Sequence, residues 1–236
     1  MEYNGRDESQ MIPDIVIRRL PIYVRTLRHI QTAGTQTVSS DELAERIGVT
    51  AAQIRRDLSY FGRFGKQGKG YEVATLLNQI QHILNLDTDW DVALVGFGHL
   101  GRAIASYRGF QPSSFHITAI FDRVPGNGQD HAPGGIEIMA AEDIPSVVRQ
   151  RGIKIGIVAV PATDAQAVAD QLIEGGVQAI LNYAPVTIKV PEQVWVREID
   201  PISALQSMTY YLAQEQDLEQ DGATSTRSDA SAAADS

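Results

Sequence analysis

The chain has 236 residues, room for one large domain or two small ones with a buried core. Hydrophobic content of 43% and charged content of 21% are ordinary for a globular protein, and the absence of cysteine excludes disulfides, zinc–thiolate sites and thiol redox chemistry. The net charge of −9 is uneven: residues 11–71 carry ten Lys and Arg against five Asp and Glu, residues 90–236 nine against eighteen, so two units with different partners are expected.

The first stretch, MEYNGRDESQ (residues 1–11 with Met11), is polar and acidic; it is expected to be disordered and not to be a signal peptide. No apolar run approaches the roughly 20 residues of a membrane span, so no membrane association is expected and the cytoplasm is the default compartment. The five histidines (His29, His82, His99, His116, His131) show no metal-ligand spacing, and no metal is expected.

A front unit is expected over residues 12–86. Apolar side chains at Ile15, Val16, Leu20, Tyr23, Val24, Leu27 and Ile30 form a helical stripe across residues 13–33, with Pro21 expected to kink or restart the helix and Gly34 to stop it. Ser39 and Glu42 have capping-box spacing at the head of a second helix that ends at Gly48. Thr50 and Gln53 repeat that spacing and open a third helix through AAQIRRDLSYF. Two short helices joined by a glycine turn are the helix-turn-helix pattern. GRFGKQGKGYEV then reads as a β-hairpin wing whose tip carries Arg63, Lys66 and Lys69.

Ile54 and Leu58 are expected to face inward on the third helix, which leaves Gln53, Arg55, Arg56 and Ser59 facing out. Arginine can donate twice to guanine and glutamine can pair with adenine, so this is a candidate major-groove face. Ser39, Thr50, Tyr60, Arg63, Lys66 and Lys69 complete the candidate DNA-contacting set, the wing cations on phosphates or in a minor groove. A solvated helix face beside a Gly-rich loop is the bland alternative; the capped turn and the attached basic wing favour DNA. Residues 73–86 follow as an amphipathic connector with Leu76, Leu77, Ile80, Ile83 and Leu84 on one face.

The second unit, expected over residues 87–199, opens with an apolar run and VGFGHLGRA. Gly96 would permit the tight turn, Gly98 the approach of a pyrophosphate, and Gly101 the packing of helix on strand. Phe97, His99 and Leu100 fill the loop, and the following helix N-terminus favours negative charge. A strand HITAIFD ends in Asp122, about 20 residues beyond the last glycine, where an acidic side chain binds the adenosine ribose. Adjacent Arg123 raises NADP, but the carboxylate should repel a 2′-phosphate, which favours NAD. IKIGIVAVPA and VQAILNYAPV read as buried parallel strands, and TDAQAVADQLIEGG as a helix opening at Thr163 or Asp164. The alternation gives an α/β doubly wound, Rossmann-like sheet with its ligand near Val160, Pro161, Asn182 and Tyr183.

No catalytic residues are found: nothing at those strand ends pairs His or Lys with a carboxylate, and there is no Ser–His or Cys–His pair. The expected role of the dinucleotide is therefore a signal, not a substrate. An NAD(P)-dependent oxidoreductase and a coenzyme A-binding regulator stay open as alternatives. Oxidised nicotinamide carries a charge that would be buried unpaired beside Val160, Pro161 and Ala184, so NADH is expected to bind more tightly than NAD. Residues 200–215 form a last amphipathic helix with Ile202, Leu205, Met208 and Leu212 on one face, and 216–236 a disordered tail.

The stretches RLPIYVRTL, VSSDELAERIGVTAAQIRRDLSYFG, GKGY, VGFGHLGRAI, AVPA, ILNYAPV and REIDPISALQSM resemble the redox-sensing transcriptional repressor family Rex. The likeness runs from Ile12 to about Leu212, and the order of the two halves with RRDLSYFG and ILNYAP makes it specific. It implies a winged-helix, Rossmann-domain homodimer with a swapped C-terminal helix. Such a dimer represses fermentation or respiration operons from palindromic operators and lets go when NADH accumulates. It also implies a switch in which an acidic residue exchanges an arginine of the DNA-binding domain for a tyrosine; Asp200, Arg25 and Tyr107 stand at the matching positions. Pro201 departs from the aromatic expected after that acidic residue.

Overall fold

The computed structural model describes residues 12–62, 64, 70–107, 109, 114–125 and 131–214. They divide into two compact units, one up to Asp89 and one from Trp90 onward. The expectations for residues 1–11 and 216–236, and for Arg63, Lys66 and Lys69, lie outside the described residues.

In the first unit, α1 (Asp14–Thr32) buries Val16, Leu20, Tyr23, Val24, Leu27 and Ile30, the stripe read from the sequence. Pro21 lies inside it without restarting it. The proline removes one backbone hydrogen bond, but buried side chains on both sides of it, each contributing about 1.5–3 kcal/mol, hold the turn in place. A short strand, β1 (Thr37–Val38), precedes α2 (Ser40–Ile47), and α3 (Ala51–Ser59) follows the left-handed Gly48. Both caps form. Ser39 Oγ accepts from the Glu42 N–H while the Glu42 carboxylate accepts from the Ser39 N–H, and Thr50 Oγ1 accepts from the Gln53 N–H at 3.1 Å.

Residues 63 and 65–69 of the stretch read as the wing lie outside the described residues. β2 (Tyr71–Glu72) pairs antiparallel with β1, ahead of the helix pair, and no second arm of a hairpin is found among the described residues. α4 (Val73–Ile83) is more than a connector. It buries Val73, Leu76, Leu77 and Ile80 in the same core as α1, α2 and α3, because that apolar stripe faces the one on α1.

In the second unit a seven-stranded sheet runs β5-β6-β4-β3-β7-β8-β9. Its strands are β3 (Trp90–Val95), β4 (Phe115–Asp122), β5 (His131–Ala132), β6 (Ile136–Ala140), β7 (Ile155–Val158), β8 (Ala179–Asn182) and β9 (Trp195–Glu198). All pairings are parallel except the two-residue β5–β6 edge. Strand order reverses between β4 and β7 on either side of β3, which is the switch point where open α/β sheets bind ligands.

Alternation along the strands explains the two faces. Val92 and Leu94 point to the side packed by α5 (His99–Ala105). Ala93 and Val95 point to the side packed by α6 (Ile144–Arg151) and α7 (Ala162–Gly175). Helix α7 begins one residue earlier than read, with Pro161 at its N-cap, and ends at left-handed Gly176. Residues 201–214 form a final helix, α8, on which every residue is exposed.

Candidate functional site

The glycine loop is built at the switch point. β3 ends at Val95 and the chain turns at Gly96, whose φ of +96° disfavours any side chain. A Cβ there would also lie 2.5 Å from the Ala159 carbonyl oxygen and 2.9 Å from Val160 Cγ1, at the end of the neighbouring β7. A Cβ at Gly101 would lie 1.9 Å from the Gly96 carbonyl oxygen, so α5 reaches the strand only because residue 101 has no side chain. Gly98 is different: nothing lies within 4 Å of a Cβ built there. It is the exposed N-cap of α5 and offers no side-chain cap. The space in front of it and the helix N–H groups behind it suit a pyrophosphate.

Asp122 closes the loop from the next strand. Its Oδ2 accepts from the Phe97 N–H at 2.6 Å and its Oδ1 from the Val124 N–H at 3.0 Å. The carboxylate is thus fixed beside the glycine turn, with acceptor capacity left for ribose hydroxyls. Arg123 is exposed and its guanidinium lies 3.9 Å from the Asp164 carboxylate in the first turn of α7.

Other sequence-read residues divide. His99 and Leu100 stand exposed at the start of α5, and Pro161 is exposed at the start of α7. Phe97 is buried, with the Arg102 guanidinium 4.5 Å above its ring, so its side chain belongs to the core. Asn182 lies inward at the end of β8. It is fully buried and donates from Nδ2 to the Val186 carbonyl, while its Oδ1 accepts from the Ala184 N–H. That amide shapes its own loop. Tyr183 likewise donates its N–H to Val158 and packs its half-buried ring on the core.

In the first unit, Arg55 and Arg56 are exposed on α3, Tyr60 is 40% exposed, and Ser59 Oγ donates to the Arg56 carbonyl. Ser39 and Thr50 use their oxygens as caps, which leaves their O–H groups free to donate to phosphate. Gln53 is half-buried, and its Nε2 donates to Asp57 Oδ1 at 2.7 Å, so one end of its amide is held within the unit.

Asp57 was not read from the sequence as functional. Fully buried, it accepts two hydrogen bonds from the Arg19 guanidinium, at 2.6 and 2.8 Å, and one from the Tyr23 hydroxyl at 2.6 Å. Burial pushes its carboxyl up, but the donated hydrogen bonds and the Arg19 charge outweigh it and hold the group below the usual range. The same carboxylate raises the Tyr23 hydroxyl, after burial, and raises Arg19. The signal was available. Ile54, Asp57 and Leu58 share one helical face, and a carboxylate on a buried face demands a cation. A cleft of about 250 Å³ beside this cluster is lined in part by Arg19, Gln53, Arg56 and Tyr60.

Asp200 Oδ1 accepts from the Ile202 N–H at 2.9 Å, so it caps α8, with Pro201 as the first helical residue. Arg25 is exposed on α1, and Tyr107 is exposed beyond α5. Among the described residues no helix is long and apolar enough to cross a membrane, and no cluster of three His, Asp or Glu could hold a metal ion.

Known proteins divide in the same way. Residues 11–59 match the family model described as "Putative DNA-binding protein N-terminus", and residues 87–186 match the one described as "CoA binding domain". The chain is 56% identical over 211 residues to a Chloroflexus aggregans protein named "Redox-sensing transcriptional repressor Rex", covering 89% of this chain and 99% of that one. A solved structure of RSP in complex with beta-NAD+ and operator DNA is similar at a TM-score of 0.81 and 37% identity, over 89% of this chain and 96% of that one. RSP in complex with beta-NADH gives a TM-score of 0.79 and 36% identity, over 89% and 98%.

Proposed function

The chain belongs to the redox-sensing transcriptional repressor family Rex, and from that premise we propose that it is a homodimeric repressor that binds two-fold symmetric duplex DNA and releases it when NADH occupies the second unit. It is a regulator and not an enzyme: its relatives are named as repressors, and the dinucleotide is a regulatory ligand. The observation that carries this reading is that the match to one relative spans both a capped helix-turn-helix and a glycine-loop crevice in a single chain.

In this reading residues 12–86 bind DNA, 87–199 bind the dinucleotide and 200–215 dimerise. Arg55 and Arg56 enter the major groove, with Ser39, Thr50, Ser59 and Tyr60 at its edge and Arg63, Lys66 and Lys69 on the backbone. Gly96, Gly98 and Gly101 give the pyrophosphate its space, and Asp122 takes the ribose. Dimerisation is assigned to α8, whose Ile202, Leu205, Met208 and Leu212 are each 57–60% exposed in the single chain. A second copy would bury that face. Acting on DNA and needing neither membrane nor metal, the protein belongs in the cytoplasm.

Coenzyme A is the second reading, favoured by the description of the matched domain family. It fits less well. Coenzyme A carries a 3′-phosphate on the ribose that Asp122 would face, and a fixed carboxylate repels it, as it does the 2′-phosphate of NADP. Selection of a duplex from a random pool, followed by titration of the complex with NADH, NAD, NADPH and coenzyme A, tests both. NADH alone should release the DNA efficiently. Equal affinity for NADH and NAD by calorimetry would remove the redox reading, and release by coenzyme A would replace it.

A further inference from the structure

The first unit holds a buried cluster that base contact alone does not require: Arg19 and Tyr23 from α1, and Gln53 and Asp57 from α3. We propose that Asp57 is a positioning residue that fixes the Gln53 amide with its carbonyl oxygen toward the major groove. Gln53 then reads an exocyclic amine, on adenine or cytosine, at one position of each half-site. This rests on the DNA-binding reading above and adds the chemistry of one contact.

The orientation follows from charge. Asp57 is held ionised by Arg19, and an ionised carboxylate accepts only. The group 2.7 Å from Asp57 Oδ1 must therefore be the Gln53 NH2 and not its oxygen. An amide flip would set a carbonyl oxygen against a carboxylate oxygen at that distance, out of water, where such a contact is most costly. Rotation of the carboxylate is no escape. The Arg19 fork and the Tyr23 hydroxyl grip Asp57 from α1, so its four acceptor positions are filled. A free glutamine could turn either end to a base; this one is set before DNA arrives.

Gln53 lies in the first turn of α3, three residues after the Thr50 cap, the end of a recognition helix that contacts base edges. In the major groove, adenine N6 and cytosine N4 donate, whereas guanine N7 and O6 and thymine O4 accept. A carbonyl aimed outward pairs with the first kind and is repelled by the second. Adjacent Arg55 and Arg56, donors only, suit guanine, so the helix presents an acceptor beside two donors.

Selection from a randomised duplex pool, with wild type, Gln53→Met, Asp57→Asn and Arg19→Lys in parallel, tests this. In the wild type one position should require adenine or cytosine, and Gln53→Met should bring its discrimination, about 5- to 150-fold for a good contact, to near parity. Other positions should keep their bases. In Asp57→Asn either orientation of the new amide sets its NH2 against an Arg19 donor, because the guanidinium spans both oxygens, so the hold on Gln53 is lost and the same position should relax toward parity. Arg19→Lys keeps the charge but not the fork; it should relax that position and leave the rest of the motif. Glue between α1 and α3 alone would instead give uniform loss of affinity with an unchanged motif. A motif insensitive to Gln53→Met, or a lost position that held guanine or thymine, overturns the inference. So does an unchanged preference in whichever of Asp57→Asn and Arg19→Lys stays folded by circular dichroism. A wild type that enriches no duplex overturns the DNA-binding reading itself.

Discussion

The Phe97 N–H donates to the Asp122 carboxylate at 2.6 Å, tying the glycine turn after β3 to the end of β4. Two features that look separate in the sequence are therefore one device, in which the residue that would bind the ribose also holds the loop that would bind the pyrophosphate. Asp122→Ala should lose both functions. We expect weaker NADH and NAD binding to a similar degree, together with a lower melting temperature. Asp122→Asn keeps a carbonyl acceptor for the Phe97 N–H and should keep most of the stability while losing affinity. Calorimetry and thermal unfolding on the two variants check this; equal melting of Asp122→Ala and wild type would leave the loop independent of Asp122.

Gly98→Ala and Gly101→Ala should behave oppositely although three residues separate them. A Cβ at position 98 meets nothing within 4 Å, and φ there is −72°, so the folded protein should be about as stable as wild type. It should still bind NADH poorly, because the methyl group occupies pyrophosphate space. At position 101 the Cβ would sit 1.9 Å from the Gly96 carbonyl oxygen, and α5 must move off the strand. Overpacking of this kind typically costs about 1–3 kcal/mol, which chemical denaturation would detect.

Arg55→Ala and Arg56→Ala should each weaken specific DNA binding by about 1–3 kcal/mol if they make bidentate base contacts. Both side chains are exposed, so unfolding curves should hardly move. Operator affinity by fluorescence anisotropy, with both variants unchanged, would put the recognition face elsewhere.

The order of elements was legible wherever burial is one-sided and periodic. The α1 stripe, the two caps and the strand–glycine–helix of residues 90–105 follow directly from apolar spacing and turn chemistry. Strands β6 and β9 and helix α6 were not read. Ile136–Ala140 and Trp195–Glu198 are short strands toward the edges of the sheet, half exposed, with no long apolar run, and only pairing with a neighbour makes them strands. The partners of polar residues were not legible for a related reason. Composition says that Asn182 and Gln53 can hydrogen-bond, but not to what. The answers, Val186 with Ala184 in one case and Asp57 in the other, depend on local and tertiary geometry. Tyr23 was counted as apolar, and its hydroxyl proved to be half of its role.

Acid should erode the first unit through Asp57. Its folded-state pKa is lowered, so the stability it contributes is present above the ordinary aspartate value of 3.8 and is lost as pH falls through the lower folded value. Asp57→Asn leaves Arg19 without its counter-charge and should be less stable at neutral pH, by about 3–5 kcal/mol for a broken buried pair. The gap between wild type and variant should narrow below pH 3.8, because there the wild type approaches the neutral form. Urea unfolding at several pH values measures it, and a gap constant down to pH 2 would mean that Asp57 does not titrate in this range.

Asp200 has two roles to separate. Its Oδ1 accepts the Ile202 N–H at 2.9 Å and Pro201 follows as the first helical residue, so it is an N-cap of a kind worth about 1 kcal/mol. The family resemblance implies a switch in which the same carboxylate pairs with Arg25 in one state and with Tyr107 in the other, and we propose that the ion pair belongs to the NADH-bound state, where it would favour release. A ligand shifts such an equilibrium only through contacts that differ between the states, and a charge that changes partners is one. Asparagine caps a helix as well as aspartate but cannot form the ion pair with Arg25. Asp200→Asn should therefore stay dimeric by sedimentation, melt like wild type and bind NADH normally. Its bound DNA should resist release, needing more NADH than wild type for half-dissociation. Arg25→Gln should reproduce the defect, and combining the two should add little, as expected for residues acting as a pair. If NADH releases DNA from Asp200→Asn as readily as from wild type, the carboxylate does no more than cap α8, and the coupling between the two units runs through other contacts.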